Sequence, residues 1–143
     1  MRETEISRGV DAESPVSANN EQLSALYSSV QGSRWAPATM ETPAPVLGTL
    51  LVFAYFREIY SSSEIVLAAQ DDILLRYICT NRPPPSSVLR SFRRDNRAAI
   101  EHALANLLRL QPLHSSSPRT SPWQEAKRRV NIAVRTDCFD LDV

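Results

Sequence analysis

Apolar residues recur along this chain at three- and four-residue spacing, in blocks separated by polar stretches rich in Ser and Pro. That spacing puts side chains on one face of an α-helix. The strongest block runs from Val46 to Phe56, where only Gly48 and Thr49 interrupt the apolar run. With no polar stripe, it reads as a helix buried nearly all round. Pro45 suits its first turn, where a missing N–H costs nothing. Val52, Phe53, Tyr55 and Phe56 also favour strands, but the length of the run favours a helix. A bilayer span needs ~20 apolar residues, so this segment is too short to cross a membrane. Arg57 and Glu58 mark its return to water.

The blocks that follow are shorter. Tyr60-Ser-Ser-Ser-Glu64 predicts a helix start, with a serine as N-cap and an acid in the first turn. Ile65, Leu67, Ala68 and Ala69 form its apolar side. Asp71-Asp72 opens a short helix over 73–79, which buries Ile73, Leu74, Tyr77 and Ile78 and is closed by Thr80 and Asn81. After Pro83, Pro84 and Pro85, residues 86–110 read as one long helix. Val88, Leu89, Phe92, Ala99, Ala103, Leu107 and Leu110 form its core stripe. A last helix covers 123–138, with Trp123, Ala126, Val130, Ala133 and Val134 apolar and a frayed acidic tail from 137 to 143. Upstream, Leu23, Leu26, Tyr27 and Val30 share one side of a short helix that Gly32 ends, and Trp35 tucks onto the domain. The rest of that region lacks an apolar period.

The expected fold is therefore all-α. A flexible segment (1–44) precedes a compact helical domain (45–111) with a helix-turn-helix-like centre. A Ser/Pro linker (112–122) leads to a C-terminal helix and tail (123–143). The 143 residues suit one modest domain with tails, and three Gly leave no room for a Gly-rich phosphate loop.

Charge sharpens this picture. Formal net charge is zero, but residues 1–75 carry −6, residues 76–135 carry +9 and the last eight carry −3. A basic centre between acidic ends suggests a polyanion-facing surface, or attraction between copies through opposite signs. Arg82, Arg90, Arg93, Arg94 and Arg97 cluster at the start of the long helix, with Asp95 as the one acid among them. Ser86 and Ser87 offer an N-cap. A short helix, a rigid turn and a basic second helix is the layout of a helix-turn-helix DNA reader, whose second helix contacts bases through its N-terminal half. It is also the layout of a plain helical corner with a solvated basic face. The core stripe leaves these arginines on a displayed face. The basic run Lys127–Arg129 reads first as a solvated helix face. Tyr55, Phe56 and Tyr60 read as core.

Little points to catalysis. Cys79 and Cys138 lack CxxC spacing, and His102 and His114 do not form a helix-face pair, so neither metal nor cofactor is expected. Two thiols without a signal peptide read as a reduced, cytoplasmic protein. Ser61–Ser63 has no base placed beside it and reads as a cap.

Four pieces in order resemble the N-terminal domain of InsH-type bacterial insertion-sequence transposases. They are Leu50-Leu-Val-Phe-Ala-Tyr-Phe-Arg-Glu-Ile-Tyr, Ser61-Ser-Ser-Glu-Ile, Asp72-Ile-Leu-Leu-Arg-Tyr-Ile and Pro84-Pro-Ser-Ser-Val-Leu-Arg-Ser-Phe-Arg-Arg-Asp-Asn. The last corresponds to a family pattern of Pro-Asp-x-x-Thr-Ile-x-x-Phe-Arg. Pro85 and Val88 stand where the family has Asp and Thr, with Ser86 and Ser87 left to replace the cap. The resemblance spans a little under half of the chain. It implies a role in transposition and binding of double-stranded DNA at element ends through Arg82, Ser86, Ser87, Arg90, Arg93, Arg94 and Arg97. In the family a ribonuclease H-like domain with three metal-binding carboxylates follows. The chain ends before such a domain, and the adjacent Asp71 and Asp72 point different ways on a helix. The expectation is a non-enzymatic protein, with a separately encoded catalytic partner if the element is split. The competing readings are a decayed remnant and a helical module that forms homo-oligomers through the apolar segments 46–56 and 123–134.

Overall fold

The computed structural model describes residues 15–36, 42–110 and 120–142. Among them lie seven helices and no strand: α1 Pro15–Val30, α2 Ala44–Phe56, α3 Ser62–Asp71, α4 Ile73–Ile78, α5 Ser86–Asp95, α6 Arg97–Leu110 and α7 Pro122–Asp142. The all-α expectation holds.

Helix α2 is the axis of the molecule. Every residue from Leu47 to Phe56 is buried, because α1, α4, α5, α6 and α7 all pack around it. A helix with no polar stripe needs apolar neighbours on every side, and this one has them. Its first turn contains Pro45, as expected. Its exit is a Schellman turn: Glu58 takes a left-handed φ of 63°, Glu58 N–H donates to Tyr55 O and Ile59 N–H to Ala54 O.

Helices α3 and α4 start where the sequence places their caps. The Ser61 hydroxyl accepts from Glu64 N–H at 3.4 Å, and Asp72 Oδ1 accepts from Leu74 and Leu75 N–H at 2.9 and 3.2 Å. Thr80 and Asn81 end α4 with φ of 53° and 63°. The buried side of α4 is Leu74, Leu75 and Ile78, whereas Ile73 and Tyr77 are exposed. Six residues bury one narrow stripe, and α2 and α3 cover only that side. Leu67 is exposed on α3 for the same reason.

Three expectations need correction. The region up to residue 44 is not merely a flexible tether. Its helix starts at Pro15 and packs on α2 and α6, with Leu26 fully buried and Tyr27 turned outward. Trp35 lies on Phe92 at 5.6 Å between ring centroids and covers Gly48 of α2.

The single helix over 86–110 is two helices. Asn96 leaves helical geometry at φ −127°, ψ 24°, although its N–H still donates to Phe92 O at 2.9 Å and its C=O still accepts from Ile100 N–H at 2.9 Å. Asn96 Nδ2 donates to Phe92 O at 3.0 Å, while its Oδ1 accepts from Ala36 N–H at 2.6 Å. The buried stripe continues through this junction at three-and-four spacing, from Leu89, Phe92 and Asn96 to Ile100, Ala103, Leu104, Leu107 and Leu108, and Leu110 faces water.

Third, α7 is an integral wall that packs most extensively on α6. Ala126, Val130 and Ala133 are buried, but so are Glu125, Arg129 and Asp137. Trp123 is outside the core, edge-on to exposed His102 at 6.3 Å. The tail expected to fray from 137 instead stays helical to Asp142, with Asp137 buried, whereas most of the linker 112–122 lies outside the described residues.

Candidate nucleic-acid interface

The turn into α5 is built backwards from the end of α4. Asn81 N–H donates to Arg76 O at 2.8 Å and Arg82 N–H to Cys79 O at 3.0 Å, so the chain reverses before the prolines. Pro85, extended at φ −63° and ψ 151°, is the N-cap of α5 and makes no side-chain cap bond. Ser86 and Ser87 therefore lie inside the first turn and are not caps. Arg82, Pro83 and Pro84, each followed by a proline, are held extended, and Pro85, the first residue free of that restriction, is the N-cap, one residue before Ser86.

The seven residues singled out by sequence separate into three groups. Ser87, Arg90, Arg94 and Arg97 share one side of α5 and its junction with α6 and line a common cleft. Arg94 is 73% exposed and, among the described residues, forms an ion pair only with its neighbour Asp95, at 3.5 Å. Arg97 bonds Glu101 Oε2 at 3.0 Å and also donates to Asn131 of α7. No carboxylate pairs with Arg90 among the described residues.

Arg82 and Ser86 form the second group. They lie near the turn and away from the cleft, with Arg82 exposed.

Arg93 stands alone. It is buried, donates to Asp137 Oδ2 of α7 and lies 3.5 Å from the Tyr55 hydroxyl. It follows Leu89 by four residues, so periodicity itself puts it on the core stripe. The expectation that every arginine here is displayed is wrong for this one.

Asp137 is the residue that sequence reasoning missed. Besides Arg93, its carboxylate accepts from Ser62 N–H at 2.8 Å and Ser62 Oγ at 2.7 Å, so it caps α3 from the opposite end of the chain. A signal was present, since Asp137 follows Ala133 by four on the apolar stripe of α7. Burial pushes the Tyr55 phenol up to about 12, with the Arg93 guanidinium pulling the other way. Burial opposes the charge on Arg93, and its partners Tyr55 and Asp137 more than offset it, raising its pKa overall.

The second basic run is also consumed internally. Arg129 donates from one nitrogen to Tyr55 O at 3.0 Å and Phe56 O at 2.9 Å, capping the buried C-terminus of α2. Its Nε bonds Glu125 at 2.7 Å. Arg128 grips the same carboxylate with two bonds, and Lys127 lies over the Trp123 ring. Hydrogen bonds from Arg128 and Arg129 hold the Glu125 carboxyl below the usual carboxylate range against the opposing effect of burial.

Cys79 is buried and structural, and no group of three or more His, Cys, Asp or Glu among the described residues is placed to hold a metal ion. No described helix is long and apolar enough to cross a membrane.

The model of the family described as Transposase domain (DUF772) matches residues 3–95, and the chain belongs to that family. The match ends within the last turn of α5, so α6 and α7 lie beyond it. No curated protein and no solved structure matches the chain.

Proposed function

We propose that this transposase-family chain binds double-stranded DNA through the start of α5, as its contribution to transposition at element ends. Ser87, Arg90, Arg94 and Arg97 make the contacts, and Arg82 adds a phosphate contact at the margin of the turn. The observation that carries this reading is the row of guanidinium groups at Arg90, Arg94 and Arg97, which the core leaves accessible on one side of the helical bundle, the first two within the family match. Arg93 belongs to the core and takes no part.

The test is a titration of labelled duplex at several salt concentrations. Affinity falls as salt rises, because each phosphate contact releases counterions. Absence of binding at low salt would sink the reading. Replacing Arg90, Arg94 and Arg97 together by Ala weakens binding and flattens the salt dependence by about one unit per lost phosphate contact. An unchanged affinity places the contacts elsewhere.

Self-association is the second reading, on different grounds from those the sequence offered. The apolar segments at 46–56 and 123–134 are largely used up within the chain. Exposed apolar surface remains at Ile73 and Tyr77, one turn apart on α4. Sedimentation equilibrium of the protein and of an Ile73→Lys variant decides it. A dimer that the substitution dissociates supports this reading, and a monomer excludes it.

A further inference from the structure

The cleft between α5 and α7 measures about 550 Å³. Arg90, Arg93, Arg94 and Arg97 line it from α5 and the start of α6, and Val134, Asp137 and Cys138 line it from α7. Its charge is not balanced. Arg93 is committed to Asp137, and Arg97 is shared between Glu101 and Asn131. The contact of Arg94 with Asp95 is exposed and worth little. Arg90 has no carboxylate partner among the described residues. Two guanidinium forks are thus largely unspent at one recess, each suited to two oxygens of a phosphate.

Beside the duplex contacts that the outer ends of these side chains make, a recess also receives a group that protrudes into it. The volume falls within the ~300–1,000 Å³ typical of small-ligand sites. Val134 offers an apolar wall to a sugar or base.

We propose that this cleft seats one phosphate monoester of nucleotide size. The dianionic monoester suits two unspent arginines better than the single charge of a backbone diester. The proposal goes beyond duplex binding because it requires α7, which the duplex reading does not use. The two share Arg90 and Arg94.

Cys138 lines the cleft and is exposed, while Cys79 is buried, so the neutral reagent iodoacetamide reports on the cleft at Cys138. At constant ionic strength, deoxyadenosine 5′-monophosphate slows alkylation of the full chain in a saturable way, and deoxyadenosine does not. Changing Arg90→Gln and Arg94→Gln, both outside the core, raises the half-protecting concentration about tenfold or more. Protein alkylated at Cys138 after folding no longer binds the nucleotide by calorimetry. An alkylation rate indifferent to the nucleotide, or protection undiminished in the double Gln variant, overturns the proposal. Protection by a 5′-phosphorylated oligonucleotide but not its 5′-hydroxyl form assigns the seat to a strand end. Protection by the mononucleotide alone assigns it to a free nucleotide. Duplex titrations on the same samples separate the two proposals: lost nucleotide protection with intact duplex binding removes only the seat, and the reverse removes only the duplex reading.

Discussion

At the residue scale, Gly48 shows how a small side chain can hold a domain together. A Cβ at this position would stand 2.5 Å from Trp35 Cζ2 and 2.6 Å from Cε2, so the indole sits where a methyl group would be. Gly48→Ala gains ~1 kcal/mol of helix propensity but must expel the ring from its place on Phe92. Overpacking of this kind costs ~1–3 kcal/mol. The expected net effect is destabilisation in urea, with a red shift of the Trp35 emission. A rise in stability without a shift would mean that the indole contributes nothing. Glu125 makes a second case. Its folded carboxyl titrates below its ordinary value, chiefly through Arg128 and then Arg129. The stability it contributes is present above the unfolded carboxylate value of ~4.3 and is lost as pH falls through the lower folded value. Glu125→Gln lacks that contribution at every pH. The stability gap between wild type and variant should therefore be widest above about pH 5 and should narrow in acid. Denaturation midpoints of both proteins between neutral pH and acid check the sign.

At the element scale, the ends of α2, α3 and α7 are joined by charge. Asp137 binds Arg93 and caps Ser62 at the start of α3, and Arg129 caps the last carbonyls of α2. A helix C-terminus carries partial negative charge, and a buried one cannot be satisfied by water. Removing one partner of a buried pair leaves the other charge uncompensated, at ~3–5 kcal/mol. Asp137→Ala is expected to destabilise by about that much, and Arg93→Ala similarly. Since each single change already breaks the pair, the double variant should cost well below their sum. Chemical denaturation of the three variants measures this, and additive losses would show the pair to be uncoupled. Asn96 sets a different kind of junction. Its amide bonds both Phe92 O and Ala36 N–H, so the break between α5 and α6 is tied to the segment that carries Trp35.

At the scale of the whole molecule, the boundary of the family match is not a structural boundary. Residues 3–95 carry the match, yet α6 and α7 complete the cover of α2 and neutralise Arg93. A chain cut after residue 110 loses Arg129 and Asp137 together with the buried Ala126, Val130 and Ala133, and so uncovers the faces of α6 and α2 on which α7 packs. It should show no cooperative thermal transition by circular dichroism, since small domains stand only ~5–15 kcal/mol above unfolding. A sharp transition in the shortened chain would make α7 an accessory. The same helix forms one wall of the arginine cleft, so stability and the proposed binding surface depend on a single element.

How much of this was legible in the sequence follows from the range of the forces involved. Helix type, the caps at Ser61 and Asp72, the all-round burial of α2 and the proline turn before α5 depend on near neighbours, and the pattern of residues along the chain carries them. The half-buried Arg90 and Arg97 and the exposed Arg94, all off the core stripe, follow from the same periodicity. The fate of Arg93 and Arg129, the break at Asn96 and the role of Asp137 depend on partners 38 to 75 residues away. Arg93 and Arg94 are adjacent and chemically identical in sequence. One is buried against a carboxylate from α7 and the other is in water, because desolvating a guanidinium is tolerable only where the fold brings it a compensating charge.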